Sequence, residues 1–226
     1  MSKNVLIVAA HPDDEVLGCF ATVKKLIQSG WSAYTLILSG GKTSRGNVSE
    51  SELDMIAHEM HAANALIGVK QVLKQDFPDN AFDRVPLLSI VKAIEQVKSE
   101  VSPDLIITHH SGDMNVDHQL THKAVLTATR PMVGECVKTI LAMEVPSSTE
   151  WNSYSRETAF VPNVFVDVAE TIDDKVSAMG HYASELRPYP HPRSLQYIKE
   201  LASINGKKVG LEYAENFILV RDIRGE

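Results

Sequence analysis

The sequence predicts an α/β protein: a Rossmann-like three-layer sandwich with a mostly parallel central sheet and a C-terminal helical and strand elaboration. Three observations lead there. Near-continuous apolar runs such as Val5–Ala10 read as strands buried on both faces. Helical periods, two of them closed by Gly30 and Gly68, alternate with those runs. Helices between successive strands imply right-handed crossovers, hence parallel neighbours.

The first strand covers Asn4–Ala10, and a helix from about Glu15 to Gln28 follows it. A second strand, SAYTLILSG, leads through the loop GKTSRGN to a helix that Ser49 or Ser51 begins and that runs to about Ile67. A short third strand near QVLKQ precedes the loop DFPDNAFDRVP, whose Asp76, Asp79 and Asp83 read as turn and cap residues. Next come a helix at about Leu87–Glu100, the strand DLIITHH after Pro103, the loop SGDMNVD, and a helix from His118 to about Thr129 that Pro131 stops. Strands at KTILAMEV and NVFVDV follow, the former apolar enough to be central. The last third holds a helical stretch at about Ala169–Glu185, the proline-rich RPYPHPRS, a helix to about Ile204, and the closing strand EYAENFILVRDI. No repeat, low-complexity segment or flexible linker interrupts this order. Residues 1–226 therefore read as one domain, with a core of about 1–168 and an elaboration of about 169–226.

Composition narrows the function classes. The chain has 226 residues, 44% of them apolar, ample for a sizeable core. Lysine and arginine number 22 against 29 acidic residues, a net charge of −7 without any basic block, which argues against nucleic acid as a partner. Cys19 and Cys136 are the only cysteines, too few for a disulfide framework or a thiolate cage. The apolar run at the N-terminus is shorter than a signal segment, and no stretch approaches the roughly 20 apolar residues of a membrane span. The expected setting is cytoplasmic, with no membrane span.

In open α/β sheets, ligands bind beyond the carboxyl ends of the strands, and the polar clusters of this chain fall there. His11, Asp13 and Asp14 follow the first strand, Ser39, Gly40 and Arg45 the second, and His109, His110, Asp113, Asn115, Asp117 and His118 the strand after Pro103. A helix start explains part of AHPDDE, since Asp13 or Asp14 could cap it and acids suit its first turn. Capping explains neither His11 nor the pair Asp117–His118 at the same edge. A cation explains both: zinc takes imidazole and carboxylate in three-ligand catalytic sites, which His11, Asp14 and His118 would supply. Asp13 would then take the proton of an activated water. Asp117 is a candidate support for the neighbouring ligand, and Glu15 begins the helix, with support of the site as its second reading.

Other histidines carry weaker signals. His58, His61 and His122 lie on predicted helices as surface or satisfied core residues, whereas His109 and His110 end a strand, so that one faces the site and the other away. Arg45 is either a contact for an anionic group or a solvated loop residue. Tyr189, His191 and Arg193 lie in a stiff segment that either folds over the pocket or merely connects two helices.

AHPDDE joined to the downstream DH resembles the PIG-L or LmbE-like family of zinc-dependent N-deacetylases. THHSGDMNVDH, EVPSSTEW and YPHPRS extend the resemblance over nearly the whole chain. It implies His11, Asp14 and His118 as zinc ligands and Asp13 as general base. It also implies a small amino-sugar or glycoconjugate substrate that loses an N-acetyl or other N-acyl group, and a possible homo-oligomer. The chain departs from the family pattern in two places. Asn115 stands where many members carry a histidine that helps to hold the oxyanion, leaving His110 and His191 as candidates for that role. Ile56 stands where an arginine often precedes a glutamate, here Glu59. A deacylase of a non-sugar amide would keep the same triad, and a non-catalytic binding module would keep only the pocket.

Overall fold

The computed structural model describes residues 3–41, 49–153 and 155–225. Its centre is β1 (Asn4–Ala9), whose NVLIVA sequence is buried from Val5 onward because both sides of the pleat meet apolar layers. Val5, Ile7 and Ala9 face one cluster, and Leu6, Val8 and Ala10 face the other. Strand alternation thus turns one apolar run into two cores.

The first core is closed by α1 (Asp14–Gln28) and α2 (Glu50–Ile67), through Phe20, Val23, Met60 and Ala63. The second is closed by α3 (Leu87–Val101) and α4 (Val116–Ala128), through Ile90, Ile94, Ala124 and Val125. Between these layers run β2 (Ser32–Ser39), β3 (Gln71–Phe77), β4 (Leu105–His109) and β5 (Thr139–Met143), which pair in parallel with β1 and with one another. Helix ends follow the sequence signals. Ser49 and Glu52 form a reciprocal capping box at the start of α2, and Gly68 closes that helix at φ 96°, a conformation that favours glycine.

The sheet order is β3-β2-β1-β4-β5-β7-β6, which includes β6 (Val164–Asp167) and β7 (Ala214–Asp222). The predicted mostly parallel, doubly covered sheet is therefore present. The closing strand, β7, inserts antiparallel between β5 and β6. Its AENF segment is buried, which favours an interior position. Two helix boundaries also move. The helix predicted over about 169–185 narrows to α5 (Ile172–His181), and α4 starts two residues before His118, because Asn115 caps it by accepting from the Asp117 N–H at 2.8 Å. The last helix, α6, spans Leu195–Lys207.

A buried ion pair ties this C-terminal part to the core. Lys175 of α5 donates to Glu215 of β7 at 2.6 Å and to the Leu17 carbonyl of α1 at 2.8 Å. Glu215 in turn accepts from the Ala21 and Thr22 amides of the same helix. Lys175→Met would leave Glu215 charged and buried without its cation, so unfolding in denaturant is expected to show a loss of about 3–5 kcal/mol. A loss below about 1 kcal/mol would mean that the pair contributes no more than a surface bridge.

Candidate active site

The strand order reverses between β1 and β4, so the crevice beyond their carboxyl ends is the topological switch point. The segments that follow these two strands meet there. A polar cavity of about 190 Å³ lies above them, reached by His11, Asp13, Asp14, Asn115, His118 and Arg193.

The turn from β1 into α1 is built around Asp13, which has φ 98° and ψ −28°. A left-handed aspartate costs on the order of 1 kcal/mol or more, and such residues cluster at functional sites. Asp13 occupies the cap position of α1 yet makes no side-chain capping bond, and the Asp14 carboxylate turns back to accept from the His11 N–H at 2.8 Å. The capping role considered for these acids is therefore not the one they play. The Glu15 carboxylate accepts from the Asp13 N–H at 3.1 Å and receives the Tyr182 hydroxyl at 2.6 Å and the Asn64 amide at 3.0 Å. Fully buried, Glu15 thus holds the Asp13 turn in addition to beginning the helix.

His11, Asp14 and His118 present ligand-type atoms within 4.8 Å of one another. Asp14 Oδ2 lies 3.4 Å from His11 Nδ1 and 3.3 Å from His118 Nε2. Bonds of about 2.0–2.1 Å around a tetrahedral ion would separate ligands by about 3.4 Å, so these spacings fit a cation such as zinc. The far nitrogen of each imidazole meets a carboxylate: His11 Nε2 lies 3.0 Å from Asp117, and His118 Nδ1 lies 3.1 Å from Asp113. Such outer carboxylates orient ligand histidines. Asp117 is itself fixed by the Phe82 N–H at 2.9 Å, and Asp113 by Thr149 at 2.6 Å and by Ser148. Asp79, also 3.4 Å from His11 Nε2, forms a second group with His11 and Asp117.

Charge follows this geometry. Burial would lower both imidazoles, but the facing carboxylates outweigh it, carrying His11 to about 10 through Asp117, Asp14 and Asp79, and His118 to about 9 through Asp14 and Asp113. Burial also opposes ionisation of Asp14, yet His118, His109 and His11 hold it well below the usual range. Asp113 falls to about 2, its desolvation overcome by bonds from His118, Ser148 and Thr149. Asp13 goes the other way. Burial and the neighbouring Asp14 push its carboxyl well above normal, and Arg193 only partly offsets them. The result is a carboxylate crowd that favours a cation, beside one acid suited to holding a proton.

The remaining expected residues divide. Asn115 reaches the cavity, but its amide caps α4 and donates to Asn80 Oδ1 at 3.0 Å. His110 turns away, its ring meeting the Thr158 carbonyl at 3.0 Å and Phe160 edge-on. His191 accepts from the Arg193 N–H at 3.0 Å and packs on Trp151 with ring centres 5.8 Å apart, outside the cavity wall. Arg193 is the residue of that segment which enters the cavity, 3.4 Å from Asp13 and 2.7 Å from Glu185. Arg45 lies outside the described residues. His58 and His61 are exposed, and His122 is a satisfied core residue bonded to the His109 carbonyl at 2.8 Å.

By sequence, one of His109 and His110 faces the site and His110 is the candidate, whereas the structure brings His109 there; the supporting role of Asp113 escapes sequence reasoning. His109 shares its strand parity with Ile107, so it points to the α1 side, stacks on His118 at 3.9 Å and accepts from the Ala10 N–H at 2.9 Å. Asp79, read as a turn residue, is buried at the cavity wall because the loop after β3 folds over His11.

Sheet order and cluster together define a class: a Rossmann-ordered α/β protein with a His–Asp cluster able to hold a metal ion at its switch point. Within that class the chain belongs to the PIG-L family, described as GlcNAc-PI de-N-acetylase, whose model matches residues 6–129. Diacetylchitobiose deacetylase of Thermococcus kodakarensis is 28% identical over 232 residues, covering 98% of this chain and 84% of that protein. The uncharacterized deacetylase YaiS of Escherichia coli K12 is 29% identical over 174 residues, covering 74% of this chain and 83% of that one. Among solved structures, N,N'-diacetylchitobiose deacetylase of Pyrococcus horikoshii superposes with a TM-score of 0.75 at 21% identity, covering 97% of this chain and 84% of that chain. The 4-carboxy-2-hydroxymuconate hydratase GalB of Pseudomonas putida KT2440 gives 0.77 at 22% identity, covering 99% and 98%. A hydratase and a deacetylase share this fold, so the fold alone does not set the reaction.

Proposed function

We propose that this protein is a zinc-dependent N-deacetylase that removes an acetyl group from the amine of an amino sugar or sugar conjugate. The observation that carries the reading is the convergence of His11, Asp14 and His118 within 4.8 Å of one another, with the buried Asp13 carboxylate, which makes no capping bond, next to them. Family membership and the deacetylase relatives support it.

His11, Asp14 and His118 would hold the ion, with Asp117 and Asp113 fixing the ring planes of the two imidazoles. Zinc, when bound, supplies Lewis acidity toward an amide carbonyl and makes a water molecule acidic near neutral pH. Asp13 takes the proton from the attacking water and delivers it to the departing amine, since the same carboxyl serves as base and then as acid. Arg193, 3.4 Å from Asp13 and 2.7 Å from Glu185, contributes positive charge to a cavity in which Asn115 stands in place of a histidine. The products are acetate and a free amino sugar. We read the whole chain as one catalytic domain, supported by the insertion of β7 within the sheet.

Among the described residues no helix is long and apolar enough to cross a membrane, which suits a substrate met from water. The test is amine release from N-acetylglucosamine and its glycosides, compared with N-acetyl amino acids, with zinc and with chelator. Release from the sugars alone, abolished by chelation, is the expected result. Release from the amino acids alone would move the substrate class to non-sugar amides, and release from neither would overturn the enzyme reading.

A further inference from the structure

Glu59 is a buried acid that the proposed chemistry leaves without a task. It stands one turn beyond Ile56 on α2, and of the two only Ile56 reaches the polar cavity. Both Glu59 oxygens are taken by one residue: Oε1 accepts from the Ser184 N–H at 3.1 Å and Oε2 from the Ser184 hydroxyl at 2.7 Å. Ser184 belongs to the turn that follows α5, and the next residue, Glu185, donates its N–H to the Tyr182 carbonyl at 2.9 Å. The Glu185 carboxylate accepts from Arg193 Nη1 at 2.7 Å, and the same nitrogen lies 3.4 Å from Asp13. A chain of contacts thus runs from α2 to the Asp13 carboxyl group.

The place of the guanidinium depends on this chain of contacts. Arg193 Nε is buried and meets no partner among the described residues, so Nη1 carries the contacts to both acids. The contact to Glu185 is the shorter of the two and has the length of a charge-assisted bond. The longer contact to Asp13 therefore follows from where Glu185 stands. Tyr182 anchors the start of the turn separately, since its hydroxyl donates to Glu15, which accepts the Asp13 N–H. Loss of Glu59 would leave that anchor, and with it the Asp13 backbone, in place. The Glu59 bonds act at the far end of the turn, where Glu185 begins its reach to Arg193. From this arrangement, and resting on the N-deacetylase reading, we infer that Glu59 is a positioning residue: through Ser184 and Glu185 it sets Arg193 against Asp13, and it raises the rate without touching the substrate.

Glu59→Met keeps the bulk of the side chain and removes both acceptors. With the methyl glycoside of N-acetylglucosamine as probe, the zinc-loaded variant is expected to lose about tenfold in kcat, less than the hundredfold that a misplacement of about 1 Å can cost, with KM and zinc content within about twofold of native. Glu59→Gln, whose amide still accepts the Ser184 N–H and can donate to its hydroxyl, is expected to recover most of that loss. Ser184→Ala deletes one of the two bonds, is expected to lose about threefold in kcat, and replaces Glu59→Met if that variant melts below the assay temperature. A role confined to stability would act in any background, whereas a role through Arg193 needs that residue. In Arg193→Met, the further substitution Glu59→Met is therefore expected to change kcat by less than about twofold. An equal tenfold loss in both backgrounds would overturn the inference. So would a crystal structure of either variant in which Arg193 Nη1 stays 3.4 Å from Asp13. Absence of amine release from the native protein would overturn the deacetylase reading instead, and the same crystallographic distance would then decide the placement by itself, a displaced guanidinium upholding it.

Discussion

Replacing Asp13 with asparagine is expected to lower amine release by about a thousandfold, the middle of the range for a positioned general base, while metal content stays near one ion per chain. The substitution isolates the proton step because little else changes. Asparagine is nearly isosteric and is one of the few residues that tolerate the left-handed conformation observed at φ 98°. His11 and Asp14, which flank Pro12 and Asp13, keep their places through the His11 N–H bond to Asp14. What disappears is the only carboxylate of the AHPDDE turn that neither faces the imidazoles nor holds the backbone, since Asp14 and Glu15 carry those tasks.

The expected effect on stability has the opposite sign. The Asp13 carboxyl is raised well above the usual range by burial and by Asp14, with Arg193 lowering it and Glu185 and Glu15 adding to the rise. An acid whose folded value exceeds its unfolded value disfavours the fold at any pH above the unfolded value. A neutral side chain there should leave the melting temperature at pH 7 unchanged or higher. A variant that keeps more than about a tenth of the native rate would remove Asp13 from the proton transfer. A variant that loses its metal or melts earlier would show a structural effect in place of a chemical one. Strained, mutually repelling groups retained at a loss of stability are what a functional site predicts.

How much of this was legible in the sequence depends on the range of the interactions involved. The unbroken apolar run at Val5–Ala10 and the glycine after each early helix are local signals, and they yielded the parallel sheet and its two covering layers. The ligand-type cluster was legible because strand ends converge by topology: His11 and His118 are distant in sequence but follow the two strands at the switch point. Contacts set by loop paths were not legible. Asp79 reaches His11 only because the chain after β3 folds inward, and nothing in DFPDNAF distinguishes that from a solvated turn. In YPHPRS the sequence offers both an imidazole and a guanidinium, and only the folded segment brings Arg193 inward while His191 packs against Trp151. His110 and His109 are adjacent, and strand parity, counted from Ile107, would have chosen His109 as the one beside the cluster. The insertion of β7 was hidden because an antiparallel strand at the end of the chain pairs equally well at an edge or between two neighbours.

Two overlapping groups contain His11, and the loss of His118 decides between them. One joins His11 and His118 through Asp14, and the other joins His11 to Asp79 and Asp117. In the second group Asp117 is already bonded to the Phe82 N–H, and His11 faces both acids with the nitrogen that points away from Asp14, as an oriented ligand histidine would. The first group should therefore hold the ion. His118→Ala is expected to reduce bound zinc from about one per chain to less than a tenth, by the three-ligand requirement of a catalytic site, and to abolish amine release with it. Asp117→Ala removes only an orienting partner and should weaken zinc affinity by about 10–100-fold, so that saturating zinc restores occupancy. Asp79→Asn should cost less than either. Metal analysis after dialysis, with circular dichroism to verify the fold, separates the cases. His118 stacks on His109 at 3.9 Å and neutralises Asp113 and Asp14, so its loss also lowers the melting temperature. For that reason occupancy is to be measured below the new transition. Full occupancy in His118→Ala, or its loss in Asp79→Asn, would transfer the ion to the second group and leave Asp13 without a metal-activated water to deprotonate.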